Sequence, residues 1–268
     1  MLRAFFALII GLAVAQPAGA QPAGQLFYGP PASWSDALYA SVGGQWARMS
    51  SLQLSTDTGC GAPNDLFVVC GAGASVGSAT GGGFRVELGT VVARLRPYIS
   101  FAGNYGWHPT GALTPPGLFI ANSMTADAQA QTLIAGLGLD SARLFPNLLP
   151  ANVNLFIQGG VGVSWNRLSN AQITFPGFAA SIDLPDSTTT NFAGEVGAGV
   201  EYAFTPALAL RAGYNSRWIG RFRSEGTANI NFFGTSTPLA IQPVTTNDAR
   251  VDEIYGALVI RLGGLFGR

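Results

Sequence analysis

Residues 192–214 read FAGEVGAGVEYAFTPALALRAGY, and this stretch decides the fold. Over its first half the even-numbered residues are apolar, aromatic or glycine, whereas the odd-numbered residues are small or, at Glu195 and Glu201, acidic. Successive side chains of a strand point to opposite faces, so this pattern gives one apolar face and one acidic face. Thr205 and Pro206 are typical of a tight turn, after which the alternation resumes. The stretch therefore predicts a β-hairpin.

The same alternation continues along most of the chain and predicts eight strands, an even number as in bacterial barrels. The strands are expected at 36–48, 83–93, 95–106, 124–139, 152–166, 191–204, 207–219 and 248–262. The fourth has an apolar face of Leu133, Leu137 and Leu139. Its first part, 124–131, also suits a helical turn, because Ala, Gln and Met are good helix formers.

The N-terminus has the features of an export signal. Arg3 precedes an apolar run from residue 4 to residue 15, and Ala18, Gly19 and Ala20 have the small-x-small form of a cleavage site. We expect residues 1–20 to be a cleaved signal peptide, 21–35 to be a periplasmic segment and 36–268 to form the main domain.

The composition favours a membrane barrel over a soluble domain. Hydrophobic residues make up 48% of the chain and charged residues only 10%, against roughly 25% charged in soluble domains. After Gln21 no run of 18 apolar residues is free of glycine, proline and charge, so no spanning helix is predicted. An exported apolar chain of this kind can cross a membrane as a closed β-barrel.

We therefore predict an all-β fold, an eight-stranded antiparallel transmembrane β-barrel in the bacterial outer membrane, with both termini in the periplasm. Its long external loops are expected at 49–82, 107–123, 167–190 and 220–247. Fourteen arginines and fourteen acids give a formal net charge of zero, so the chain has no basic field for nucleic acid.

Two segments resemble a known family. The hairpin at 192–214 is similar to the penultimate hairpin of the small porin-like, OmpA-type outer-membrane β-barrels, and FIQGGVGV at 156–163 resembles their fifth strand. The resemblance implies eight antiparallel strands and a final aromatic residue, here Phe266 followed by Gly267 and Arg268. It also implies contact with outer-membrane lipid and with the barrel-assembly machinery. The family includes opacity-protein-like surface antigens, adhesins and membrane-integrity proteins.

Charged residues of several strands share the inward phase. They are Arg85, Glu87, Glu195, Glu201, Arg211, Arg217, Glu253 and Arg261. An eight-stranded interior is just wide enough for side chains to fill, and buried charges persist when they are paired. Four acids and four arginines favour a lumen plugged by ion pairs. The alternative is a narrow ion path, as in a small passive diffusion channel.

Aromatic residues fall at the ends of the predicted strands and suggest two interfacial girdles. The external girdle comprises Trp46, Phe84, Tyr105, Trp107, Trp165, Phe192 and Trp218, and the periplasmic girdle comprises Tyr202, Phe204 and Phe266. A sugar-binding aromatic cluster is the alternative, but these residues are distributed around the barrel.

The first external loop contains the cysteines Cys60 and Cys70, which we expect to form a disulfide in an oxidising compartment. No metal site or cofactor is predicted, because no further ligands cluster with them. A glycine-rich run at 66–77 imitates a phosphate loop, but the following glycines do not favour the helix that such a site requires.

His108, the only histidine, is the one candidate base for a lipid-modifying barrel enzyme. It precedes Pro109 in a predicted loop, and strand spacing places no serine or acid beside it. We therefore predict a non-enzymatic outer-membrane barrel with a structural or surface-interaction role, which contacts a host or envelope ligand through its external loops.

Overall fold

A computed structural model describes residues 37–56, 73–92, 95–114, 122–145 and 149–262. These residues form an antiparallel β-barrel with one short α-helix, α1 (Ser141–Leu144), and one 3-10 turn (Pro176–Phe178). The strands are β1 (Leu38–Met49), β2 (Leu52–Thr56), β3 (Gly73–Val76), β4 (Ala79–Thr90), β5 (Leu95–Trp107), β6 (Thr110–Thr114), β7 (Ser123–Asp140), β8 (Val153–Phe175), β9 (Ala180–Asp183), β10 (Ser187–Ala203), β11 (Leu208–Gly220), β12 (Arg223–Phe232), β13 (Thr235–Thr246) and β14 (Ala249–Arg261).

All eight predicted strands are present, and their pairings close a ring. The order around this ring is β1, β4, β5, β7, β8, β10, β11 and β14, which pairs again with β1. The fourth predicted strand is β7, so 124–131 is extended and not a helical turn. The predicted barrel is therefore confirmed.

The prediction of eight strands is nevertheless too low, because the described part of the chain contains fourteen. Each of the six additional strands is separated from one of these eight by a break of two or three residues, as β2 is from β1 and β12 is from β11. Together with β7 and β8 they close a second ring above the first, in the order β8, β7, β6, β3, β2, β13, β12 and β9. The four predicted loops thus contribute strands to an extension of the barrel.

The length of β8 shows that the strands reach well beyond the membrane. β8 has 23 residues, whereas about 9–11 residues of a tilted strand cross a membrane. At about 3.3 Å per residue, roughly 40 Å of strand remains beyond the membrane. We call the lower ring the membrane barrel and the upper ring the external extension.

The hydrophobic pattern reverses between the two rings. In the membrane barrel the outward residues are apolar and exposed, as at Val42, Leu210 and Leu258. In the external extension apolar side chains are instead buried inside, as at Phe222 and Ile173. A barrel surrounded by lipid needs an apolar exterior, and a barrel surrounded by water needs an apolar interior. The reversal therefore marks the outer surface of the membrane.

Two of the periplasmic connections form hydrogen bonds within themselves or to a neighbouring strand. In the hairpin between β10 and β11, the Phe204 N–H donates to the Leu208 carbonyl at 2.9 Å. The connection between β7 and β8 carries α1, and Asn154 Oδ1 accepts a hydrogen bond from the Ala142 N–H at 3.1 Å. The one-turn helix is thus held against the periplasmic end of β8.

Candidate functional site in the barrel interior

The interior of the membrane barrel contains a chain of alternating acids and arginines, each at most 3% exposed. From the periplasmic side to the external side the chain runs through Asp140, Arg96, Glu201, Arg211, Glu87, Arg85, Glu195, Arg217 and Glu253. All nine occupy inward positions of strands, so the period-two alternation that sends apolar residues to the lipid sends these charges to the lumen.

Glu195 lies in the external half of this chain of ion pairs and receives hydrogen bonds from three side chains. Arg85 binds its carboxylate through both terminal nitrogens, at 3.1 and 2.9 Å. Arg217 donates from Nη2 at 2.9 Å and from Nε at 3.3 Å, and the Tyr98 hydroxyl donates at 2.8 Å. Glu195 and Arg217 are direct cross-strand neighbours in β10 and β11.

A second acid, Glu87, is the middle residue of the chain of ion pairs and connects its two halves. Its carboxylate accepts from Arg211 Nη1 at 2.7 Å, from Arg85 Nη2 at 3.2 Å and from the Tyr39 hydroxyl at 2.8 Å. Arg211 also donates from Nε to Glu201 at 2.7 Å, and these two residues are again cross-strand neighbours. One arginine therefore joins two carboxylates.

Both ends of this chain of ion pairs contain further polar partners. At the periplasmic end Arg96 Nη1 lies 3.0 Å from Asp140, a residue at the end of β7. At the external end Glu253 accepts from Arg217 at 2.8 Å, from the Asn104 amide at 2.7 Å and from the Gln45 amide at 3.3 Å. The chain of ion pairs thus extends through most of the membrane barrel.

Aromatic rings fill the space beside the guanidinium groups. The Phe156 ring centre lies 4.9 Å from the Arg96 guanidinium and 5.2 Å from that of Arg211. The Tyr255 ring lies 5.5 Å from Arg85. Phe156 is the one apolar side chain in the inward phase of the central part of β8, and these cation–π contacts explain its position.

Seven of the eight predicted lumen charges belong to this chain of ion pairs. Arg261, the eighth, is buried at the periplasmic end, where it lies opposite Tyr39. Sequence reasoning missed Arg96 and Asp140. Arg96 could have been predicted, because it follows the outward Leu95 directly in β5 and so points to the inward face of the strand. With these two added, five buried acids face five buried arginines and the interior is neutral.

Above the charges the interior becomes apolar. The external extension encloses a cluster of buried side chains that begins with Met49 and Trp107 and continues through Leu168, Ile219 and Phe222. Each of these five is at most 5% exposed. The barrel interior therefore contains an apolar layer above the layer of paired charges.

Outside the lumen, the external extension brings together a second group of polar residues. His108 Nδ1 lies 2.6 Å from Asp127 Oδ1, so the expectation that no acid stands beside His108 is wrong. The two residues face each other across the pairing of β5 and β6 with β7, where Trp107 lies opposite Ala128 and Thr110 opposite Thr125, so the contact depends on a register that the sequence pattern did not give. Asn170 donates to the other oxygen of Asp127 at 2.8 Å. Within the described residues His108 has no other hydrogen-bond partner.

Asp127 lies beyond the membrane-spanning part of β7. Its pKa is lowered from the usual range, mainly by the hydrogen bond from Asn170 and secondly by the one from His108, because both favour the ionised carboxylate. Among the described residues no group of three or more His, Cys, Asp or Glu side chains could hold a metal ion. In the same residues no helix is long and apolar enough to cross a membrane.

Comparison with known proteins identifies the family. Residues 4–237 match the outer membrane protein β-barrel domain. The chain belongs to this family. As a family member, it is a protein of the bacterial outer membrane.

Solved structures are similar to this protein at low sequence identity. The outer membrane protein OprG from Pseudomonas aeruginosa is 16% identical, and the alignment covers 84% of this chain and 97% of that chain with a TM-score of 0.52. Neisserial surface protein A is 18% identical, and the alignment covers 84% and 96% of the two chains with a TM-score of 0.44. No curated relative matches the chain.

Most of the residues predicted for the aromatic girdles lie on the outer surface of this outer-membrane barrel. Trp46, Phe84, Phe192, Trp218 and Phe204 are exposed on the outer surface, and the predicted Tyr105, Trp165 and Tyr202 are partly exposed there.

Trp107 does not belong to the external girdle, because it is completely buried. A bulge between Asn104 and Trp107, with Gly106 at a φ of 73°, shifts the phase of β5 by one residue and turns this ring inward.

Several predictions lie outside the described residues. These are the signal peptide at 1–20, the periplasmic segment at 21–35, the Cys60–Cys70 disulfide and the position of Phe266. They remain predictions.

Proposed function

We propose that this outer-membrane barrel is non-enzymatic, that its interior is closed to ions, and that it acts through its envelope position and its external surface. The observation that carries this proposal is the unbroken chain of ion pairs from Asp140 to Glu253. An eight-stranded interior has little space beyond its own side chains, and here these are paired across the lumen.

The energetics of the pairs support a closed interior. A buried charge that loses its partner costs about 3–5 kcal/mol, so opening a path through these side chains is unfavourable. The apolar cluster in the external extension adds a second barrier, because an ion entering it would lose its hydration without gaining a partner.

The outermost part of the external extension supports a surface-interaction role. The turn between β12 and β13 carries Phe232 and Phe233, whose ring centres are 4.5 Å apart and which are 50% and 72% exposed. The Phe233 N–H donates to the Ala179 carbonyl, which places the turn beside Phe178, itself 50% exposed. Three exposed aromatic side chains are unusual on a water-facing surface and are typical of contact sites. A host or envelope ligand would meet this tip first.

Conductance in planar bilayers tests the closed interior. The purified barrel, with insertion verified by heat-modifiable electrophoretic migration, is expected to give no conductance steps. An open porin added to the same bilayer serves as the positive control. A reproducible wild-type conductance of porin size would refute the closed interior and favour a passive diffusion channel.

The His108–Asp127 pair defines the test of the non-enzymatic proposal. A hydrolase would also need a nucleophile, and His108 contacts none among the described residues. Wild-type protein and the variant His108→Ala are incubated with phospholipid vesicles, and released fatty acid is measured. We expect no release above background from either. Release that disappears in His108→Ala would show that the barrel is a lipid-modifying enzyme.

A further inference from the structure

A repeated sequence feature lies at the outer boundary of the membrane barrel. Trp46 is followed two residues later by Arg48, and Trp165 is followed two residues later by Arg167. Residues two apart share one face of a strand, so each arginine stands directly above an outward tryptophan. The external girdle is thus followed by cations at the level where lipid headgroups lie.

One part of this boundary holds two arginines on adjacent strands. Arg48 of β1 lies directly opposite Asp252 of β14, and Arg250 lies two residues before Asp252 on the same outward face. Both arginines are exposed, and the Arg250 side chain is 50% exposed. The backbones of diagonal cross-strand neighbours are about 7–8 Å apart, a separation that lets two long arginine side chains reach one phosphate group.

The partners of these arginines leave a net positive charge. Arg250 pairs with Asp252 Oδ1 at 3.0 Å, and the same oxygen accepts from the Tyr214 hydroxyl at 2.7 Å. Arg48 donates a hydrogen bond to the Ser78 hydroxyl at 3.3 Å, and it forms no ion pair with a carboxylate of the described residues. Two arginines and one aspartate give a charge of +1.

The surface below this group suits acyl chains. Trp46 and Ile254 are 52% and 49% exposed, and the next outward row toward the periplasm consists of Gly44, Gly256 and Ala212. These small residues leave a shallow depression beneath the larger side chains. An added Cβ at Gly256 would meet no atom within 4 Å, so this row is open to the lipid.

We propose that Arg48 and Arg250, with the hydroxyls of Ser78 and Tyr214, bind the phosphate group of an outer-leaflet lipid. Its acyl chains lie on the apolar surface below Trp46. Arginine suits this ligand because its planar guanidinium donates two parallel hydrogen bonds to phosphate oxygens. The exposed Arg250–Asp252 pair is no obstacle, since such surface pairs contribute little and are easily rearranged. This inference rests on the membrane position of the barrel and not on its closed interior.

Native mass spectrometry of the detergent-solubilised barrel tests the proposal. Dioleoyl phosphatidic acid is compared with dioleoylglycerol, which has the same chains and no phosphate, and with inorganic phosphate alone. The variant Arg48→Gln/Arg250→Gln removes the proposed site. The matched control Arg167→Gln/Arg221→Gln also removes two exposed boundary charges. Heat-modifiable migration verifies that all proteins are folded.

We expect the wild-type barrel to retain phosphatidic acid in preference to dioleoylglycerol. Arg48→Gln/Arg250→Gln should weaken phosphatidic acid binding by about tenfold, whereas the control pair should change it by no more than about twofold. Equal losses in both variants would indicate diffuse attraction and overturn the site. Equal retention of the two lipids, or binding of inorganic phosphate as tight as that of the lipid, would overturn the lipid as ligand.

Discussion

Replacing Glu195 by glutamine tests whether the interior charges act as one paired network. Glu195→Gln keeps the shape of the side chain but removes the carboxylate that accepts bonds from Arg85, Arg217 and Tyr98. Arg85 then has only Glu87 as an acidic partner, and Arg217 has only Glu253. Glu87 also binds Arg211.

The expected loss in the free energy of unfolding follows from the burial of these charges. The interior changes from five acids and five arginines to four acids and five arginines, and both arginines at Glu195 are at most 1% exposed. Leaving a buried charge unpaired costs about 3–5 kcal/mol. The matched control Glu225→Gln makes the same chemical change at an exposed pair, in which Arg223 lies 2.8 Å away. That pair is expected to contribute at most about 1 kcal/mol.

Urea unfolding in lipid vesicles, followed by tryptophan fluorescence and by heat-modifiable migration, measures the difference. Glu195→Gln should lower the unfolding midpoint strongly and Glu225→Gln only slightly. The double variant Glu195→Gln/Arg217→Gln restores a neutral interior and should recover part of the loss, in assembly yield if the single variant does not assemble. Equal midpoints for the two single variants would refute the argument that the interior pairs are desolvated and mutually dependent.

Three further predictions follow from the lipid face, the first external segment and the external extension. Val196→Arg places a charge on the lipid face near the membrane centre, at a cost of roughly 2–4 kcal/mol, and should reduce the folded membrane yield; a wild-type yield would contradict the strand phase. A thiol reagent applied to the unfolded, unreduced mature protein should label neither Cys60 nor Cys70, and labelling of both would exclude the disulfide. Asn170→Ala removes a hydrogen bond to the ionised Asp127 and should raise its pKa toward the usual range, as measured by carbon NMR of the carboxyl; an unchanged value would exclude that bond. Because this pKa is lowered in the folded state, the stabilisation it provides is present above the unfolded pKa and is lost as the pH falls.

The membrane barrel was predictable because lipid imposes a strict rule on alternate residues. Every outward position of β10 between 192 and 202 is apolar, aromatic or glycine, so the phase, and with it the inward position of Glu195 and Glu201, follows from the sequence. The same rule would have found Arg96. The partners of each charge were not predictable, because the lumen brings together strands distant in sequence, as Arg85 and Glu195 show.

The external extension was missed because its hydrophobic pattern is the reverse of the one used to find strands. Apolar residues such as Ala228 and Val244 point inward there, while polar residues face water. Bulges add a second difficulty. Asn170, with a φ of 50°, inserts an extra residue into β8 against β7, and Gly106 does the same in β5, so the inward phase changes within a single strand.

The positions of the interior charges also specify the register of the barrel. Glu195 and Glu201 are six residues apart on β10, and their cross-strand partners Arg217 and Arg211 are six residues apart on β11. A one-residue slip would turn all of one strand's charges toward lipid. A two-residue slip keeps the faces, but it would place Glu195 opposite Asn215 or Ile219 and so break both pairs at once. Because apolar outward residues tolerate such a slip and buried charges do not, the ion pairs select one register among those that the lipid would accept.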